Sequence, residues 1–452
     1  MDLLSREGAL REEASSFGDL AMAVIVWISV FAIVFVMGYP IALGMFISSA
    51  LYLLLSHTDL SLLMDMMVIK FENMFILLAV PLFIFTAKVM NAGKITDRIF
   101  EFAQGGLGSV KGGLGYVNVV ASIIFAGMSG SEIADVSGLG TVEIKAMKDA
   151  GYDGAFSCAV TCASATIGPI IPPSIPIIIY AMLSGTSVGY LFLGGFIPGF
   201  LLGGAIMVVI YLLSAKRNYP RGERIPFKKF LRSFVKAFPA LMAPVLLLYG
   251  IYGGVFTPTE SAGVVAAYVL FLSLFVYRTL GLKELYKVIM DTVLSTGYIS
   301  FFIAGAFIFG YVVATEEIGV LITNGFITLG LTSSKWTTLL AVNILFLILG
   351  CFFDVTAIQL IIIPMLLPLV KSVGIDLVHF GIITCLNLMI ALDTPPYGET
   401  GFITSAISGT PLHEIVREMV LYFLPCEIAV LAMVTYLPDL VLWLPRLAGY
   451  AG

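Results

Sequence analysis

The sequence predicts an all-α integral membrane fold: two inverted-topology copies of one helical unit, with about ten transmembrane helices and two re-entrant hairpins. Three observations predict it. Of 452 residues, 59% are hydrophobic and only 12% charged, against roughly 25% charged in ordinary soluble domains. Apolar runs recur along the chain, as at Met22 to Met37, Met74 to Val89, Tyr190 to Leu213, Phe301 to Val313, Leu339 to Phe353 and Leu421 to Leu437. Finally, an offset of 223 residues superposes the two halves. It pairs Gly127 with Gly350, Lys148 with Lys371, Gly151 with Gly374 and Asp153 with Asp376, then Thr161-Cys162 with Thr384-Cys385 and Pro172-Pro173 with Pro395-Pro396.

Residues 1–19 carry five acids and two arginines without an apolar core. They are not a signal peptide; a surface helix, a linker and an appended segment remain open. The first repeat is expected over 20–215, and the second over 237–445. Between them, 216–236 holds 8 of the 24 basic residues with Glu223 as its sole acid, which marks a cytoplasmic linker. Five spans precede that linker, so the N-terminus lies outside. Lys94, Arg98, Lys111, Lys145, Lys148, Arg278, Lys283, Lys287 and Arg417 then fall inside, while His57 to Asp59 and Glu316-Glu317 fall outside. An odd number of spans between equivalent points makes the copies antiparallel.

Within each copy two elements are unlike an ordinary span. The first repeat has a hairpin at about 112–150, whose apolar run is interrupted at Gly127-Met-Ser-Gly-Ser-Glu-Ile-Ala-Asp135 and returns to the basic side, exposing backbone that would be costly in lipid. A broken helix follows at about 154–182. Pro169, Pro172 and Pro173 interrupt it, because proline lacks the amide donor and clashes with the preceding turn. The second repeat has its hairpin at about 335–375, opened by Gly350-Cys-Phe-Phe-Asp354, and its broken helix at about 378–407, cut at Ala391-Leu-Asp-Thr-Pro-Pro-Tyr-Gly-Glu399. Broken helices at matched positions point to a midplane transport site. Freed carbonyls and helix C-terminal ends suit a cation, whereas helix N-terminal ends suit an anion. Ser61 to Phe71 and Lys94 to Gln104 are amphipathic enough to lie at the interface.

Gly-Met-Ser-Gly-Ser at 127–131, the Ile167-Gly-Pro-Ile-Ile-Pro-Pro-Ser-Ile-Pro176 run and Thr394-Pro-Pro with Gly350 upstream resemble the large membrane subunit of tripartite ATP-independent periplasmic (TRAP) transporters, over roughly residues 20 to 445. The resemblance implies a sodium-driven secondary transporter of elevator type in the cytoplasmic (inner) membrane of a bacterium or archaeon. Its implied partners are a small four-helix membrane subunit, a periplasmic substrate-binding protein and membrane lipid; no nucleic acid is implied. The implied cargo is a small organic acid of carboxylate or sulfonate type. Carried over by position, one sodium site uses Ala126, Ser129, Gly168, Ile171 and Pro173, and the other Gly350, Ala391, Thr394 and Tyr397. Central elements, roughly 74–182 and 290–407, would form a mobile transport domain, and 20–56, 188–214, 237–280 and the last span the scaffold.

Substrate contacts are expected among Ser131, Glu132, Pro172, Ser174, Asp354, Asp393, Pro395, Pro396 and Glu399. Asp393 and Glu399 depart from the family pattern, which has an apolar residue before Thr-Pro-Pro and Gly-x-Asn after it. They would meet a cationic part of the substrate, complete a cation site, carry a proton, or face a watery vestibule. All five cysteines lie in apolar segments without paired spacing and read as packing residues. No Walker loop is present, and neither a catalytic cluster nor ligand spacing among His57, His379 and His413 supports an enzyme. A stand-alone sodium- or proton-coupled anion carrier or antiporter of the ion-transporter superfamily is the competing reading.

Overall fold

The computed structural model describes residues 22–73, 75–222, 226–396 and 398–452. The N-terminal segment 1–19 and Tyr397, both singled out above, lie outside the described residues.

Helices account for nearly all of the described chain, and the pairing found among them is one isolated bridge, Lys111 with Arg221. Seven helices are long and apolar enough to cross a membrane. Shorter ones work in pairs. Met22–Val36 and Ile41–Leu55 lie antiparallel, with Trp27 Nε1 donating to Ser49 Oγ at 3.4 Å. The segments expected to be amphipathic fold as helices Ser61–Asn73 and Ile95–Leu107.

The 223-residue offset holds for the helices as well as for the identities. It carries Ile95–Leu107 onto Ile318–Thr328, Gly113–Ser129 onto Lys335–Gly350, and Ile175–Ser184 onto Glu399–Ser408, each within two residues at the start. Non-glycine residues with positive φ are uncommon, yet the offset pairs two of them, Lys94 at φ 53° and Glu317 at φ 49°. Both Pro-Pro peptides are cis. In the first half, Gly113–Ser129 and the return helices Glu132–Ser137 and Leu139–Asp149 form the hairpin, and Gly154–Ala165 with Ile175–Ser184 form the broken helix. Their counterparts are Lys335–Gly350 with Val355–Ser372, and Leu377–Leu392 with Glu399–Ser408.

Polar side chains join hairpin to broken helix where lipid-like surroundings offer no water. Asn118 donates to Thr161 Oγ1 at 2.8 Å and accepts from Ser164 at 2.6 Å. In the second half Asn387 donates to Asn343 Oδ1 at 2.8 Å, and Asn343 donates to Thr435 at 2.9 Å.

The basic ends gather on one face. Arg217 bonds both carboxylate oxygens of Glu418, at 2.8 and 2.9 Å. Lys111 donates to Asn218 at 2.8 Å, Lys148 to the Ser408 carbonyl at 2.8 Å, and Arg98 stacks over the Tyr277 ring at 4.1 Å. Away from these residues, Tyr52 donates to Glu316.

Candidate cation and solute site

The first hairpin turns at Ser129-Gly130-Ser131. Gly130 takes a left-handed φ of 61°, and a Cβ there would stand 2.5 Å from the Pro173 carbonyl oxygen. The tip therefore rests directly on the broken helix, and the Gly130 carbonyl accepts from Ile175 N at 3.3 Å. Two serines start the helices that leave this junction: Ser131 Oγ accepts from Ala134 N at 3.4 Å, and Ser174 Oγ accepts from Ile177 N at 3.2 Å while donating to the Pro169 carbonyl. Such caps satisfy amides that the helix itself cannot.

Ser129, Gly168 and Pro173 meet around this junction, where the space beside Gly168 faces the Ser131 carbonyl and Asp135. Ala126, one turn before Ser129, and Ile171, within the break, are buried beside it. Among the described residues no amide donates to the carbonyls of Gly168, Ile171, Pro172 and Pro173: Pro172 and Pro176 lack the hydrogen, and Ile175 N and Ile177 N donate to Gly130 and Ser174 instead. Ser129 Oγ is buried and also unpartnered. Buried acceptors of this kind are costly unless something binds them.

In the second half Gly350 packs against Ala391, where a Cβ on the glycine would lie 2.3 Å from the alanine Cβ. Thr394 ends its helix, its hydroxyl donating to the Ile390 carbonyl at 2.8 Å. The carbonyls of Asp393 and Thr394 lie on the side of Gly398 where a Cβ would project, each 3.9 Å from it. Asp354 caps the return helix, accepting from Thr356 N at 2.9 Å and Ala357 N at 3.3 Å. An acid flagged for the membrane is thus in part a helix cap. Ser131 plays that part at the equivalent position of the first hairpin.

A cavity of about 660 Å³ lies between the halves. Gly130, Ser131, Glu132, Asp354 and Glu399 line it, together with the aromatic residues Tyr298, Phe302 and Phe352. Four of the residues predicted to meet substrate are therefore brought together. Pro172, Ser174, Asp393, Pro395 and Pro396 are not in its wall. Asp393 sits behind it, 4% exposed, accepting from Thr400, with Oδ2 unpartnered.

Sequence reasoning missed two acids. Glu143 and Glu427 are fully buried, and neither has a partner on either carboxylate oxygen. Glu427 stands in the middle of the apolar run Leu421 to Leu437, so the rule that intramembrane acids are functional by default would have found it. Glu143 lies on a helix with mixed polarity and gave no such signal. No group of three metal-ligating side chains occurs among the described residues, so a cation here would be held mainly by carbonyls and hydroxyls.

Residues 28–440 match the family described as "Tripartite ATP-independent periplasmic transporter, DctM component". The chain is 40% identical over 415 residues to the sialic acid TRAP transporter large permease protein SiaM of Vibrio cholerae, covering 91% of this chain and 96% of that one. It is 39% identical over 403 residues to the C4-dicarboxylate TRAP transporter large permease protein DctM of Pseudomonas aeruginosa, covering 89% and 94%. The isethionate permease DctMQ of Oleidesulfovibrio alaskensis is 36% identical over 412 residues, covering 90% of this chain and 64% of that protein. Among solved structures, the YdaH transporter of Alcanivorax borkumensis superposes with a TM-score of 0.59 at 15% identity, covering 86% of this chain and 89% of that one. This last likeness is one of fold.

Proposed function

The chain belongs to the family of TRAP large permease subunits, multi-pass membrane proteins that are not enzymes, and from that premise we propose that it carries a small organic acid inward in symport with sodium, by an elevator motion. The duplicated crossing of hairpin tip and broken helix carries this reading. Each half presents unwound backbone to a hairpin tip, and in the first half four carbonyls and Ser129 Oγ have no partner among the described residues. Sodium is a hard cation that takes oxygen ligands, and each crossing supplies them from Ala126, Ser129, Gly168, Ile171 and Pro173, or from Gly350, Ala391, Thr394 and Tyr397.

Ion and cargo occupy adjacent ground in this reading. The cargo sits in the cavity that the starts of Ile175–Ser184 and Val355–Ser372 border. Bound sodium closes the hairpin tips onto the broken helices and completes the cavity wall. The hairpins and broken helices move as one body against the flanking spans, which hold the small four-helix subunit. A periplasmic binding protein delivers the cargo; the relatives' names specify sialic acid, C4-dicarboxylates and isethionate, all organic acids.

Reconstitution of the chain with its small subunit and binding protein tests the reading. Uptake of labelled organic acid should require an inward sodium gradient. Uptake indifferent to sodium contradicts the coupling, and uptake by this chain alone favours a self-sufficient carrier.

A further inference from the structure

The cavity has a charge pattern that a simple dicarboxylate does not match. Its wall holds three carboxylates, Glu132, Asp354 and Glu399, and among the described residues no lysine or arginine lines it. Glu132 is 3% exposed and neither of its oxygens has a partner. Asp354 commits Oδ1 to the two amides it caps. Glu399 is half-buried at the start of Glu399–Ser408. Lys88 reaches toward this wall from behind Ser295, but its amine is taken up by the Ser295 hydroxyl at 2.8 Å and the Asp291 carbonyl.

A buried carboxylate without a partner is costly, and the cost is removed when a ligand brings the opposite charge. Aromatic faces add attraction for an ammonium group, most of all a desolvated one. Tyr298 and Phe302 pair edge to face at 5.1 Å in the same wall as Phe352. The start of Ile175–Ser184 also borders the cavity, but its amides are engaged: Ile175 N donates to the Gly130 carbonyl, Pro176 has no amide hydrogen, and Ile177 N donates to Ser174 Oγ. The cavity's size falls within the range of small-molecule sites, roughly 300–1,000 Å³.

We propose that the cavity takes a zwitterionic organic acid, whose ammonium or quaternary ammonium group is held by Glu132 and Glu399 against the aromatic wall. The proposal rests on the organic-acid permease reading and narrows its cargo. A dianion would bring its second charge against three acids.

The test uses the full chain with its small subunit in nanodiscs under saturating sodium, with calorimetric titration of glycine betaine, β-alanine, succinate and choline. One zwitterion at least should bind about tenfold tighter than succinate, equivalent to about 1.4 kcal/mol, and choline should bind more weakly than betaine. Glu132→Gln should cut zwitterion affinity about tenfold and leave succinate unchanged or tighter. Glu399→Gln, at a half-buried position, should act in the same direction and carries the test if the first variant fails to fold. Succinate binding tighter than both zwitterions overturns the proposal, as does absence of zwitterion binding, choline matching betaine, or an affinity ratio unmoved by the variants. A sodium titration of the same nanodiscs separates the two readings. Intact sodium binding with the wrong ranking sinks only the zwitterion, whereas loss of both sinks the permease reading as well.

Discussion

Thr166 to Ser174, the break in the first half, is buried at every position, whereas in the second half burial gives way after Asp393: Thr394 and Pro395 are half-buried and Pro396 is exposed. The backbone plan is otherwise shared, down to the cis Pro-Pro pairs and the capped helices that follow each hairpin tip. At the first crossing Gly130 lies on Pro173 with serines at both caps, and the buried acids Glu132 and Asp135 stand beside the tip rather than in the break. The second carries an acid within its break, the buried Asp393, and reaches the surface at Pro396, with Glu399 half-buried beyond it. Duplication supplied the geometry, and divergence after duplication placed an acid within the break, and access to it, in the second copy.

That contrast is most sharply broken at the hairpin tips. Gly130→Ala forces a side chain into a left-handed backbone and against the Pro173 carbonyl. Sodium-driven uptake should fall on the order of a hundredfold, as a displaced site costs, while Phe353→Leu at the equivalent position of the second half, which keeps an apolar side chain in the cavity wall beside Phe35 and needs no left-handed backbone, should keep uptake within about threefold. Equal losses at both tips would show that the two crossings are equally tight.

A smaller effect is expected at the breaks themselves. Asp393→Asn removes the carboxylate that accepts from Thr400 and should lower uptake about tenfold, as removal of a buried charge-assisted bond does. Its counterpart Ile170→Val should change thermal stability by about 0.5–1.5 kcal/mol and leave sodium dependence alone. Equivalent sodium dependence in both variants would remove the distinction between a break that carries an acid and one that does not.

Packing gives the next step down. Gly350→Ala places a methyl onto Ala391 and should destabilise by about 1–3 kcal/mol in a thermal melt. Adding Ala391→Gly should restore much of that loss, since contacting sites couple. Two independent, additive losses would mean that the close approach is not what constrains this pair.

The caps come last. Ser131→Ala should cost about 1 kcal/mol of stability. Asp354→Asn keeps a capping side chain and should cost only a few tenths of a kcal/mol.

Much of this was legible in the sequence because it is written in residues whose backbone demands are specific. Pro172-Pro173, Pro395-Pro396, Gly127 and Gly350 fixed the repeat offset, and the helices follow the same offset. The helix Ile95–Leu107 was legible from its amphipathic spacing, whereas Ser61–Asn73 forms a helix whose apolar residues do not gather on one side. Capping by Ser131 and Asp354 was not, because a serine or an acid beside a glycine-rich turn reads equally as a ligand. The burial of Glu143 and Glu427 depends on which helix faces which, and that is decided by contacts far apart in the chain. Nor does any local pattern show that Glu132 and Glu399, 267 positions apart by their numbers, share one cavity wall.

The central claim is that each half supplies one sodium site. Equilibrium binding of radioactive sodium to the purified full chain with its small subunit in nanodiscs tests it most directly. Two sodium ions should bind per chain, and Gly130→Ala should leave one. A stoichiometry of one or none in the unaltered protein would contradict the account, and so would loss of both ions in the single variant if its thermal melt remained that of a folded protein.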